Sequence, residues 1–115
     1  MNDELLGNVE YVSLLYDFYG ALLSDSQKEV MGLYHEDNLS LSEIAANLGM
    51  SRQAVQYTLK KAENALNEYE EKLGLVETSD RNLRLAEKIE RILEKDEIGE
   101  SDKETILSII QIITE

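Results

Sequence analysis

A chain of 115 residues has room for one domain with an appendage, and its 43% hydrophobic content is enough for a core, which excludes global disorder. Its 24 acidic residues against 11 basic ones give a formal charge of −13, which argues against non-specific binding to nucleic acid or to an anionic membrane. There is no cysteine and no proline, so disulfides and thiolate metal sites are excluded, a reducing cytoplasm is the expected compartment, and nothing interrupts helix propagation.

The acidic opening MNDELLGNVE has no basic region followed by an apolar run, so no secretory signal is expected. No stretch approaches the roughly 18 apolar residues of a membrane span. Tyr11, Leu14, Leu15, Phe18, Tyr19 and Leu22 recur at helical spacing and predict a first helix over residues 9–23 with these on its inner stripe. Its aromatic set, Tyr11, Tyr16, Phe18 and Tyr19, is read as core with polar tips reaching water rather than as a platform for bases.

Ser24 with Gln27 spells a capping box that opens a second helix. It would present Val30, Met31, Leu33 and Tyr34 and end between His35 and Asn38. His35 beside Glu36 and Asp37 is read as a solvated helix end, because no metal-ligand spacing accompanies it. Ser40 with Glu43 is a second box, starting a short helix over Leu41, Ile44, Ala45 and Leu48 that stops at Gly49. Ser51 caps a longer fourth helix, with Val55, Leu59, Ala62, Leu66, Tyr69 and Leu73 spaced by three and four and Gly74 at its end. Its acids Glu68, Glu70 and Glu71 are read as a solvated face, not as catalytic carboxylates. A fifth helix is expected from about Ser79, carrying Leu83, Leu85, Ala86, Ile89, Ile92 and Leu93. Gly99 breaks it, and Ser101 with Glu104 predicts a third box before a last helix holding Ile106, Leu107, Ile109, Ile110, Ile112 and Ile113. No segment alternates as a strand would. The expected fold is all-α: a helix-turn-helix bundle over residues 1–74, then a C-terminal helical pair over residues 75–115.

The segment SLSEIAANLGMSRQAVQYTLKKA has the parts of a helix-turn-helix in order. Such a unit needs a short capped helix, a small residue at the crossing, a glycine turn, and a second helix whose outer face is free. Ala45, Gly49 and Ser51 fill those places, and Val55 anchors the second helix. Arg52, Gln53, Gln56, Tyr57, Lys60 and Lys61 then point away from the core. Arginine suits guanine, glutamine suits adenine and lysine suits phosphate. Ser51 at the helix N-terminus suits a phosphate as well. Charge is distributed accordingly. Residues 44–62 hold three basic residues and no acid, whereas nine acids and one lysine precede them and fifteen acids and seven bases follow.

No glycine-rich phosphate loop and no nucleophile with a positioned base is found, so neither an enzyme nor a cofactor is expected. The run ETILSIIQIITE is apolar on more than one face. It predicts self-association through Ile106, Ile109, Ile110 and Ile113.

The stretch LSLSEIAANLGMSRQAV resembles the DNA-binding fourth region of bacterial sigma factors. Thr58 stands where that pattern usually has an apolar residue, and Leu59 takes over one position later. The wider stretch over residues 15–73 is similar to the YlxM-like family, most specifically in DFYGALL, LSEIA and SRQAV. These are small cytoplasmic helix-turn-helix proteins whose genes typically lie beside those of the signal recognition particle GTPase and its receptor. The resemblance implies a regulator that binds DNA or RNA and is tied to protein targeting. An alternative is an adaptor that docks its acidic surface on the signal recognition particle GTPase, with the helix-turn-helix as inherited architecture.

Overall fold

In the computed structural model the backbone is described over residues 2–115 and the side chains over residues 9–115. The acidic opening segment, and with it the reading that no secretory signal is present, lies outside the residues whose side chains are described. The elements are α1 (Asn2–Tyr19), a 3-10 turn (Gly20–Leu22), α2 (Asp25–Met31), a π-helical turn (Gly32–Glu36), α3 (Leu41–Leu48), α4 (Arg52–Leu73), α5 (Leu75–Leu93) and α6 (Glu100–Ile113). No strand occurs among the described residues, and the fold is all-α as the periodicity predicts. The chain forms two compact units, residues 1–76 and residues 77–115.

The first unit is built around α4, which packs against α1, α2 and α3. Both predicted boxes at its helix starts are formed. The Ser24 hydroxyl accepts from the Gln27 N–H at 3.3 Å, while the Gln27 side chain accepts from the Ser24 N–H at 3.1 Å. Ser40 and Glu43 repeat the exchange at 3.1 and 3.0 Å. Those bonds hold the exposed Glu43 carboxyl below its ordinary pKa. The core holds Leu15, Val30, Met31, Ile44, Val55, Ala62 and Leu66, all with no exposed surface.

The inner stripe of α1 is the predicted one only at Leu15 and Tyr19. Val12, Leu15, Tyr19 and Leu23 are buried, while Tyr11, Leu14, Phe18 and Leu22 are exposed. The two sets lie one residue apart and share the same helical spacing, so pattern alone cannot choose between them. Tertiary bonding holds Tyr19, which was predicted inward, in the core. The Tyr19 hydroxyl donates to the Glu70 carboxylate at 2.6 Å and accepts from the Leu75 N–H at 3.0 Å. Neighbouring Tyr16 lies against Gly20, where an added Cβ would stand 2.8 Å from its ring.

The same bonds explain why α5 begins at Leu75 rather than near Ser79. A helix start needs acceptors for its first N–H groups. The Tyr19 hydroxyl takes that of Leu75, and the Glu70 carboxylate takes that of Val76 at 3.0 Å. Glu70 is therefore a structural acceptor and not part of a solvated face. Burial, and then the bond to Glu70, raise the Tyr19 pKa above its ordinary value. The hydroxyl stays protonated and able to donate at neutral pH.

Within the second unit Ile92 and Ile109 are buried, while Leu83, Leu93, Leu107 and Ile110 are exposed. The predicted Ser101–Glu104 box is not made. α6 starts two residues earlier, with Gly99 as its cap and Asp102 accepting the Gly99 N–H at 3.3 Å. Glycine has no side chain to return the bond, so only half of the box exists. Lys95 fixes the acid, its Nζ lying 2.9 Å from Asp102. That contact, followed by the Gly99 bond, holds the Asp102 carboxyl below its ordinary pKa.

His35 is also placed differently. It lies half-buried in the π-helical turn, edge-on to Tyr34 with ring centroids 5.0 Å apart. Its Nε2 is buried and has no hydrogen-bond partner. No cluster of three or more metal-ligating side chains occurs among the described residues. No helix among them is long and apolar enough to cross a membrane.

Candidate nucleic-acid interface

The turn between α3 and α4 depends on one backbone conformation. Gly49 sits at φ 65°, in the left-handed region, and its N–H donates to the Ala45 carbonyl. A Cβ would strain that position, which is why glycine stands there. Met50 donates to the same carbonyl at 3.0 Å. Ala45 itself is buried, as a small residue at a helix crossing must be. Ser51 then caps α4, its hydroxyl accepting from the Ala54 N–H at 3.0 Å. Its own proton remains available to a further acceptor.

From that cap α4 runs for 22 residues with Val55, Leu59, Ala62 and Leu66 buried. Leu59, not Thr58, takes the inward place. Leu73, the last residue of the predicted inner stripe, is exposed because it lies at the helix end. The predicted contact residues Ser51, Arg52, Gln53, Gln56, Tyr57, Lys60 and Lys61 are all exposed. Arg52, Lys60 and Lys61 take part in none of the ion pairs among the described residues. The first turn of α4 holds no acid. The positive end of its dipole is therefore not offset locally.

Gln56, Tyr57, Lys60 and Lys61 come together around a shallow depression of about 410 Å³, and Asn64 completes its wall. Asn64 was not among the predicted contacts. Its signal is periodic: residues 57, 60, 61 and 64 follow the helical spacing of one face. The Lys61 Nζ lies over the Tyr57 ring, 5.6 Å from its centroid.

The predicted self-association residues are not equivalent. Ile109 is buried within the chain, Ile106 is half-buried, and Ile110 and Ile113 are exposed. Leu107, outside the predicted set, is more exposed than any of them.

A short capped helix, a left-handed glycine and a second helix whose outer face is polar and free of acids as far as residue 62 define a helix-turn-helix protein. A family model described as "Putative helix-turn-helix protein, YlxM / p13 like" matches residues 6–106, and the chain belongs to that family. The match is wider than residues 15–73 and takes in α5 and half of α6. A UPF0122 protein of Thermoanaerobacter sp. strain X514 is 44% identical over 113 residues, covering 98% of this chain and 92% of the relative. One from Caldanaerobacter subterraneus is 45% identical over 93 residues, covering 81% and 76%. One from Bacillus cereus strain AH187 is 38% identical over 106 residues, covering 91% and 96%.

Proposed function

We propose that this protein is a non-enzymatic, cytoplasmic regulator that binds DNA or RNA through α4. The observation that carries the reading is the union of local geometry and charge. The longest segment cleared of acids is the segment whose caps and glycine turn present a free helix face. In this reading Arg52, Gln53 and Gln56 meet base edges, Ser51, Lys60 and Lys61 meet phosphates, and the surrounding acids suppress indiscriminate binding. The family resemblance supports a place in the signal recognition particle pathway.

The test is titration against duplex DNA and particle RNA at two salt concentrations. About three phosphate contacts give a salt slope near −3. Arg52→Ala is expected to cost about 1–3 kcal/mol at a preferred site, and Lys60→Ala to weaken all sequences alike and flatten the slope by about one. If Arg52→Ala leaves binding to the purified signal recognition particle GTPase intact while neutralised acids abolish it, the adaptor reading replaces this one. No nucleic-acid binding below about 0.1 mM at low salt ends the reader hypothesis.

Pairing of two copies belongs to the same proposal. Leu107, Ile110 and Ile113 leave an apolar face on α6. A stable pairing needs more than about 1,000 Å² of buried surface. Sedimentation at micromolar concentration is expected to give a dimer for the wild type and a monomer for Ile110→Lys. A monomeric wild type removes this part.

A further inference from the structure

We propose that Tyr57 is a specificity-determining residue of α4 and recognises the C5 methyl of a thymine in the major groove of duplex DNA. The inference rests on α4 being a groove helix. Tyr57 is 64% exposed, more than any other aromatic residue among those described. It makes no ring contact with another aromatic residue, so its hydrocarbon adds little to the fold. Yet it stands within the acid-free stretch of residues 44–62, and it lines one depression with Gln56, Lys60, Lys61 and Asn64.

Lys61 restricts the ring. With its Nζ over the ring face, a cation–π contact favours one rotamer and covers one side. The rest of the ring stays exposed, and it lines a depression together with Gln56, Lys60, Lys61 and Asn64. The one methyl group that a base-pair edge presents in the major groove is that of thymine, set among hydrogen-bond donors and acceptors. An apolar ring in that groove therefore has one chemically matched partner. The two amides beside it suit the adenine of the same or the next pair, since glutamine and asparagine bond adenine N6 and N7 together. Stacking on a splayed single-stranded base is less well matched. Stacking platforms array several aromatic rings along a groove, whereas this ring stands alone on a convex helix with one face taken.

The test uses the full chain. A preferred duplex is selected from a random library with the wild type, and each thymine in it is replaced singly by deoxyuridine, which removes only the methyl group. Wild type, Tyr57→Phe and Tyr57→Ala are titrated against every substituted duplex, with circular dichroism to verify that each is folded. One position is expected where deoxyuridine weakens wild-type binding about fourfold, the worth of one buried methyl. The loss is expected to persist in Tyr57→Phe and to vanish in Tyr57→Ala. Equal losses in wild type and Tyr57→Ala at every position, or no thymine that matters, overturn the proposal while leaving α4 as a reader. Tighter binding to the single strand than to the duplex, with Tyr57→Ala costing most there, overturns it in favour of stacking. A wild type that binds no nucleic acid overturns both this inference and the reading beneath it.

Discussion

The α3–α4 region and the C-terminal unit use apolar residues in opposite ways. Along α4, Val55, Leu59, Ala62 and Leu66 are all buried, and the starts of α3 and α4 are each capped by the serine just before the helix. The outer face is thus left to polar and basic groups. In residues 77–115, Ile92 and Ile109 are buried while Leu83, Leu93, Leu107 and Ile110 stay in water. A unit of about 40 residues seldom closes a core without oligomerisation, metals or disulfides. The difference teaches that the helix-turn-helix is a finished scaffold whose surface is free for binding, whereas the C-terminal unit carries apolar surface beyond what its own fold covers.

Core truncation sharpens that contrast most. Ile44→Ala is expected to cost about 2–5 kcal/mol, because the fully buried side chain leaves a cavity. Leu83→Ala, at an exposed position, is expected to stay within about 0.5 kcal/mol. Urea denaturation of the two variants measures this, and equal losses would break the comparison.

The bonds within the first unit that support the start of α5 come next. Tyr19→Phe strands the Leu75 N–H and removes the donor that holds Glu70. Its stability loss is expected to fall between those of Ile44→Ala and Ser51→Ala, with faster hydrogen exchange at Leu75 and Val76. An unchanged exchange rate there would mean that α5 starts without this support.

Ser51→Ala is expected to cost about 1 kcal/mol, the usual worth of an N-cap. That cost probes how locally α4 is determined. A loss near zero in the denaturation midpoint would show that tertiary packing alone holds the start of α4.

The smallest expected effect is a pH dependence confined to the first unit. Burial, opposed by the nearby Asp17 charge, lowers the His35 pKa below 6.5. As pH falls, the unfolded chain takes up this proton before the folded one does. Stability contributed by neutral His35 is therefore present above about pH 6.5 and is lost as pH falls from there toward the folded pKa. His35→Gln is expected to flatten the change in midpoint between about pH 7.5 and about pH 5.5. A variant with the wild-type slope would show that other groups carry it.

What the sequence determined by itself is what acts over three or four residues. Ser24 with Gln27, Ser40 with Glu43, Ser51 and Gly49 each satisfy or release backbone groups of their own turn. Their consequences, including the exposed face from Ser51 to Lys61, were therefore legible in the order of residues. Three features were not: which stripe of α1 faces inward, where α5 begins, and which acid supports α6. Two adjacent stripes of α1 carry the same period; of the six residues read as inward only Leu15 and Tyr19 are buried, and Tyr19 is held there by a carboxylate 51 residues away. α5 has no capping residue of its own, because Tyr19 and Glu70 accept its first N–H groups. Asp102 displaces the Ser101 box because Lys95, seven residues back, holds it in place. Each of those choices rests on a polar group finding its partner across the fold, and only the folded chain brings such partners within hydrogen-bond distance.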